Sequence, residues 1–285
     1  MTRDERKDVF RETIDIVTQG RYTAPSGKNV IIVEDDIKKP IAVRKPIDVD
    51  ISKYAKFEGK VNVFNADCLY AAGVLSQYGK KVCVLNMASF KHPGGGVWSG
   101  SAAQEENLFR RTNLFRSLYQ FDSIDYILTH VDEQITGVYP LHPDFGAIYS
   151  KGVTVFRDSE NTEYELRETP FVIDVVSVSA IKHPQLTDDG KFNRRDKIRT
   201  KNKIRTMLNL CIVNGVEYPI LGAFGCGAYG TPPEEMAKAF KEVLFDEEYV
   251  KCFREVTFAI IDDKNSYREH NPEGNFKPFK NILTQ

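Results

Sequence analysis

The sequence predicts a three-layer α/β/α fold, on three observations. Apolar, β-branched runs alternate with helix-length segments along most of the chain, the order expected when helices cover a sheet. The runs Val82-Cys83-Val84-Leu85 and 171–178 are apolar without strict alternation, as in strands buried on both faces. Two Gly-rich loops, 93–100 and 222–230, each follow such a run and lead towards a helix, the position where α/β folds bind phosphates.

Each element follows in order. Residues 4–18 read as a helix, with Val9, Phe10, Ile14, Ile16 and Val17 near one face and Gly20 to end it. Short β-like pieces come next at 30–33 and 41–43. These make 1–59 an N-terminal extension, packed on a main domain of 60–285. The main domain opens with a strand at 61–65. Asp67 can cap a helix from 68 to about 77, and 81–87 is a strand. After the first Gly-rich loop, a helix runs from about 102 through Arg110 and Arg111. The middle, 121–170, is irregular, with a hairpin expected around Ile148-Tyr149-Ser150 and Val153-Thr154-Val155-Phe156. A strand at 171–178 precedes a long basic helix, 191–214, whose buried face would hold Ile198, Ile204, Met207, Leu208 and Cys211. A strand at 218–224 enters the second loop. Pro232 and Pro233 then open a helix, where missing N–H donors do no harm, and 256–261 is the last strand. No internal repeat or low-complexity linker is evident.

Composition narrows the function. With 285 residues and 41% hydrophobic content, the chain builds one large core or at most two small ones. Its 39 basic and 40 acidic residues leave a net charge of −1, so there is no global attraction for a polyanion, and phosphates would need a local site. Cysteines 68, 83, 211, 226 and 252 form no CxxC pair and read as reduced, mostly buried thiols. Histidines 92, 130, 142, 183 and 270 show no HExxH or close pairing, so they read as surface or hydrogen-bonded residues, and no metal is expected. The charged N-terminus has no apolar leader, and no apolar run reaches a membrane-spanning length. The expectation is a soluble, cytoplasmic monomer with no membrane partner and no cofactor.

The two loops carry the chemistry. The first is His92-Pro93-Gly94-Gly95-Gly96-Val97-Trp98-Ser99-Gly100. Consecutive glycines permit positive φ and close approach of backbone to a ligand. The second, Gly222 to Gly230 in sequence, lacks the Gly-Lys-Ser/Thr of a P-loop and departs from GxGxxG. What remains is a nest of backbone N–H groups able to hold a diphosphate without cationic side chains. Either loop alone is equally well a tight turn. Gln104-Glu105-Glu106 follows the first loop. Carboxylates at a helix start are usually favourable dipole partners, but one shielded beside a glycine loop can shuttle a proton at a glycosidic bond. No G-x-S-x-G elbow supports a serine esterase. The basic stretch 191–206 reads as a solvated helix face in preference to a polyanion surface.

These blocks together resemble the poly(ADP-ribose) glycohydrolase family, in its short microbial branch. The likeness lies in Gly94-Gly95-Gly96, seven residues, then Gln104-Glu105-Glu106. It extends to Val84-Leu85-Asn86-Met87-Ala88-Ser89, Asn65-Ala66-Asp67, Tyr149-Ser150 with Val155-Phe156-Arg157-Asp158, and 222–230, in matching order over roughly 60–262. The resemblance implies a macrodomain-like catalytic domain with a mixed central sheet and an ADP-ribose cleft above it. It gives Glu106 the catalytic role, with Glu105 and Gln104 holding the adjacent ribose. Gly94, Gly95 and Gly96 would approach the diphosphate and distal ribose. Gly225, Cys226, Gly227 and Ala228 would line the diphosphate, and Tyr229 would sit against the terminal ribose. Asp67 matches an acid that accepts from the adenine amine. Ser89 offers a hydroxyl where relatives often have Asn, and 180–184 departs from the usual rim pattern.

The activity so implied is hydrolysis of ribose–ribose O-glycosidic bonds, from chain ends, releasing ADP-ribose. Glu106 in its acid form would protonate the leaving 2′-oxygen and then activate water at C1″, with Glu105 helping to keep one proton on the pair. Two other readings stay open: a module that reads ADP-ribose without cutting it, and a hydrolase of mono-ADP-ribose on DNA bases or protein. The paired carboxylates favour an enzyme over a reader.

Overall fold

The computed structural model describes residues 1–33, 36–122, 135–263 and 266–284. His130 lies outside them. The chain opens with helix α1 (Arg3–Gln19), which Thr2 caps by accepting the Glu5 N–H and Gly20 ends at φ +68°. A two-stranded hairpin of β1 (Arg21–Thr23) and β2 (Asn29–Ile31) follows. The remaining strands form one sheet: β3 (Ile41–Val43), β4 (Val61–Phe64), β5 (Val82–Met87), β6 (Ala147–Arg157), β7 (Leu166–Val178), β8 (Tyr218–Leu221) and β9 (Val256–Ala259). Their spatial order is β3-β6-β7-β5-β8-β9-β4. Pairing is antiparallel at the β3–β6–β7 edge and parallel from β7 to β4, so the sheet is mixed.

Its strands are apolar because both faces are covered. Val82 and Val84 of β5 face a core that includes Phe10 of α1, Ala72 of α2 (Cys68–Gln77), Phe109 of α3 (Gln104–Arg111) and Phe115 of α4 (Phe115–Leu118). Cys83 and Leu85 face the opposite core, with Ile204 and Met207 of α5 (Arg194–Val213), Phe240 of α6 (Pro233–Lys241) and Phe279 of α7 (Phe276–Leu283). A buried side chain of this size contributes about 1.5–3 kcal/mol. The arrangement is the three-layer fold expected from the sequence.

Two elements differ from expectation. The hairpin expected at 148–156 is one continuous strand, β6, which turns back only after Arg157. The Lys151-Gly152 turn signal produces a bulge instead: the register against β7 shifts between Ser150 and Val153, and Gly152 sits at φ +67°. The strand read to 224 ends at Leu221. The long basic helix does form, but much of its charge is neutralised within the chain, through Lys197 and Lys201 on Glu242 and Lys201 and Arg205 on Glu247. Among the described residues no helix is long and apolar enough to cross a membrane.

Candidate active site

The parallel strands β4, β5, β8 and β9 all end on one side of the sheet. The segments leaving them meet there with residues after β7, around a cleft of about 890 Å³. Ligands of α/β folds bind at such carboxyl ends, and the volume suits an organic ligand of moderate size.

The first loop and the start of α3 shape one wall. Ala103 precedes α3 and has no capping side chain, so Glu106 reaches back and its Oε2 accepts the Ala103 N–H at 2.8 Å. Glu106 Oε1 accepts the Gly96 N–H at 2.8 Å. Glu105 Oε1 accepts the Gly94 N–H at 3.0 Å, and its Oε2 accepts the Ser89 N–H at 2.7 Å. Asn86 donates to Glu105 as well, at 3.4 Å. Both glutamates are buried, 4% and 7% exposed, yet both line the cleft. Burial first, and the neighbouring Glu106 charge after it, push the Glu105 carboxyl up to about 8 against the pull of the Ser89 N–H.

This geometry gives the glycine triplet a different local task from the one expected. Two of its N–H groups hold the two carboxylates, and the third, from Gly95, bonds His92 O. Two of these glycines also sit at positive φ. A Cβ on Gly94, at φ +76°, would lie 2.7 Å from the Phe109 ring. A Cβ on Gly95, at φ +51°, would lie 2.6 Å from Glu106 Oε1 and 3.1 Å from Glu105 Oε2. Gly95 and Gly96 line the cleft; Gly94 lies behind them.

Gln104 lines the cleft, but its amide is engaged by the sheet. Its Oε1 accepts the Met87 N–H at 2.9 Å, and its Nε2 donates to Leu85 O at 2.7 Å. β8 pairs with β5 only as far as Val84, so the side chain stands in for the missing strand. Asp67 caps α2 through the Tyr70 N–H and accepts two bonds from Arg111, at 2.8 and 2.9 Å. Sequence reasoning gave no role to Arg111 or Asn86. A lone amide inside an apolar strand was the available signal for Asn86.

The second loop forms the facing wall. Gly225, Gly227, Ala228 and Tyr229 line the cleft. Among the described residues, none of their four N–H groups has a protein acceptor. Such donors are able to meet an anionic ligand. Cys226 is fully buried and lies outside the cleft lining; its carbonyl accepts from His270 and Asn271, which fixes the loop from behind. Gly225 sits at φ +78°, with room for no side chain beside Ala180 and Thr231. Tyr229 closes one end: its hydroxyl accepts the Phe90 N–H at 3.2 Å, and its carbonyl accepts the His183 N–H at 2.7 Å. Ser89 lies beside this contact.

The N-terminal helix reinforces the carboxylate wall. Phe10 packs edge-on to Trp98 at 4.9 Å, and Thr13 donates to Arg110 O at 2.6 Å. Arg6 makes a forked pair with Glu160, a cleft residue. Among the described residues, no group of three or more His, Cys, Asp or Glu side chains is placed to hold a metal.

Comparison with known proteins shows the family. A model of the microbial-type poly(ADP-ribose) glycohydrolase catalytic domain matches residues 10–158. No curated protein matches. The chain is similar to the poly(ADP-ribose) glycohydrolase of Thermomonospora curvata bound to the inhibitor ADP-HPD: 29% identity, 97% of this chain and 98% of that one, TM-score 0.76. It shares its fold with the poly(ADP-ribose) glycohydrolase of Deinococcus radiodurans in complex with ADP-ribose, at 24% identity over 87% of this chain and 95% of that one, TM-score 0.64.

Proposed function

The chain belongs to the family of microbial-type poly(ADP-ribose) glycohydrolase catalytic domains and is a glycoside hydrolase of poly(ADP-ribose); from that premise we propose how its own residues divide the work. The two loops face each other across one cleft. The free N–H groups of Gly225, Gly227, Ala228 and Tyr229 take the diphosphate of a terminal ADP-ribose unit. The Tyr229 ring rests on its distal ribose, with Ser89 alongside, and Asp67, steadied by Arg111, meets the adenine amine. The scissile C1″–O2′ bond then lies against Gly95, where Glu105 and Glu106 converge.

The proton that burial keeps on the Glu105–Glu106 pair reaches the leaving 2′-oxygen through Glu106, whose carboxylate next removes a proton from the water that attacks C1″. Glu105 keeps a proton on the pair at neutral pH. One positioned acid–base is worth about 10²–10⁴ in rate, and orientation in the cleft supplies more. The single observation that carries this reading is that the glycine triplet holds both carboxylates in a cleft whose opposite wall presents unpaired N–H groups.

Cleavage from chain ends fits the carboxylate wall, which α1 backs through Phe10 and Arg6 and which Glu160 extends. Residues 1–59 accordingly act as an extension that packs on the catalytic domain, 60–285, and adds β3 to the edge of its sheet. Monomeric action in the cytoplasm completes the proposal. The test is incubation with poly(ADP-ribosyl)ated protein, with free ADP-ribose as the readout, beside mono-ADP-ribosylated protein and DNA. Release of ADP-ribose from the polymer alone supports the proposal. Oligomeric products would contradict end-trimming, and release from the mono-modified substrates alone would contradict the substrate class.

A further inference from the structure

Among the described residues, one buried cation of the cleft, Lys203, has no ion-pair partner, although the Asp144 charge lies near enough to act on it. Lys203 of α5 lines the cleft and is only 2% exposed. Among the described residues its ammonium makes no hydrogen bond or ion pair. Its neighbours on the helix differ. Lys197 meets Glu242 at 2.6 Å, Lys201 meets Glu247 at 2.8 Å, and Arg205 meets Glu247 at 2.7 Å. Arg199, one turn before Lys203, also lines the cleft and bonds Asp144 at 2.7 Å and Asp196 at 3.3 Å.

An unpaired buried ammonium is costly unless an anion meets it. Burial, and then the Arg199 charge, press Lys203 down to about 8, which an arriving anion would reverse. The surroundings also continue outward. A smaller hollow of about 240 Å³ lies between α5 and Pro143-Asp144, lined in addition by Arg195, Ile198, Arg199 and Asn202. It shares Pro143 and Arg199 with the cleft. An anionic chain leaving the cleft past Lys203 and Arg199 therefore meets Arg195 on the exposed face of α5.

The second loop meets its anion with backbone N–H groups, whereas this track offers the side-chain cations Lys203 and Arg195 on either side of the Arg199–Asp144 pair. Poly(ADP-ribose) carries one diphosphate per unit, so a bound chain brings a second diphosphate with the first. Resting on the function proposed above, we propose that Lys203, with Arg199 and Arg195 beyond it, forms a second anion subsite for the diphosphate of the adjoining ADP-ribose unit.

The test uses the full chain carrying Glu106→Gln, so that polymer is bound and not cut. Affinities for ADP-ribose and for poly(ADP-ribose) of defined length are measured with and without Lys203→Met. The expected result is at least a roughly tenfold loss for polymer, with ADP-ribose affinity within about twofold. Arg195→Gln, on the exposed face, should weaken polymer binding about threefold and flatten its salt dependence. Equal losses for both ligands would overturn the proposal, because Lys203 would then serve the first unit. Unchanged polymer affinity in both variants would also overturn it. Should the Glu106→Gln chain bind no polymer while it binds ADP-ribose, the polymer-hydrolase reading fails together with this subsite. Intact polymer binding that both changes spare removes the subsite alone.

Discussion

Replacing Gly95 by Ala should disable the enzyme while leaving it folded. The added methyl would start 2.6 Å from Glu106 Oε1 and 3.1 Å from Glu105 Oε2. A carbon–oxygen contact settles near about 3.3 Å, so the Glu106 oxygen must retreat by roughly 0.7 Å. That oxygen is the acceptor of the Gly96 N–H, and stretching a hydrogen bond to a charged group removes part of about 1.5–3 kcal/mol. Alanine at φ +51° adds roughly 1–2 kcal/mol. The total destabilisation is roughly 2–4 kcal/mol. A misplacement near 1 Å in the reacting geometry can cost about 10²-fold in rate. Turnover of poly(ADP-ribosyl)ated protein at saturating substrate should therefore fall roughly 10²-fold. The circular dichroism spectrum should be retained, and ADP-ribose should still bind through the distant second loop. Turnover within about threefold of the parent chain would refute the reasoning, because the carboxylates would then not need the space that Gly95 leaves.

Three further predictions follow from the same geometry. Tyr229→Ala should lower turnover at least about tenfold and stability far less, whereas Tyr229→Phe should cost about 1 kcal/mol through the Phe90 N–H it leaves unpaired; steady-state kinetics beside thermal melts separate the two. Gln104→Ala leaves the Met87 N–H and Leu85 carbonyl without their partner and should cost roughly 1–3 kcal/mol in denaturant unfolding, whereas a residue that only touched substrate would leave unfolding unchanged. The third concerns pH. Glu105 holds its proton to about 8 in the folded chain, against a usual 4.5, so the folded state binds more protons between those values. Stability should fall as pH rises through that window, and Glu105→Gln should remove this component of the melting profile. Turnover that relies on a protonated pair should decline above about pH 8, and a rate still rising there would contradict the assignment.

What could be read from the sequence was what local pattern determines. Helix α1, the Asp67 cap and the apolar two-faced strands follow from periodicity and capping, and the structure has them where expected. The error at β6 has a physical origin. Lys151-Gly152 reads as a turn from its own residues, and only pairing with β7 makes it a bulge. The site shows the same division. That glycines and glutamates lie together was legible from their spacing. That the N–H groups of Gly94 and Gly96 hold those glutamates required the fold, since a sequence does not say where a backbone donor points. Gln104 serving β5 as a partial strand, Arg111 gripping Asp67, and Lys203 lying without an ion pair among the described residues beside paired neighbours all depend on contacts distant in sequence.

The central claim is that Glu106 carries the proton at the glycosidic bond, and Glu106→Gln tests it most directly. The amide keeps the shape but sets an NH₂ against one of the two N–H donors, from Gly96 or Ala103, so folded fraction is measured alongside, with a cost of about 1–3 kcal/mol expected. ADP-ribose affinity should stay within about threefold, while release of ADP-ribose from poly(ADP-ribosyl)ated protein falls by at least about 10²-fold. Near-normal release from a folded Glu106→Gln chain would contradict the account and remove Glu106 from catalysis.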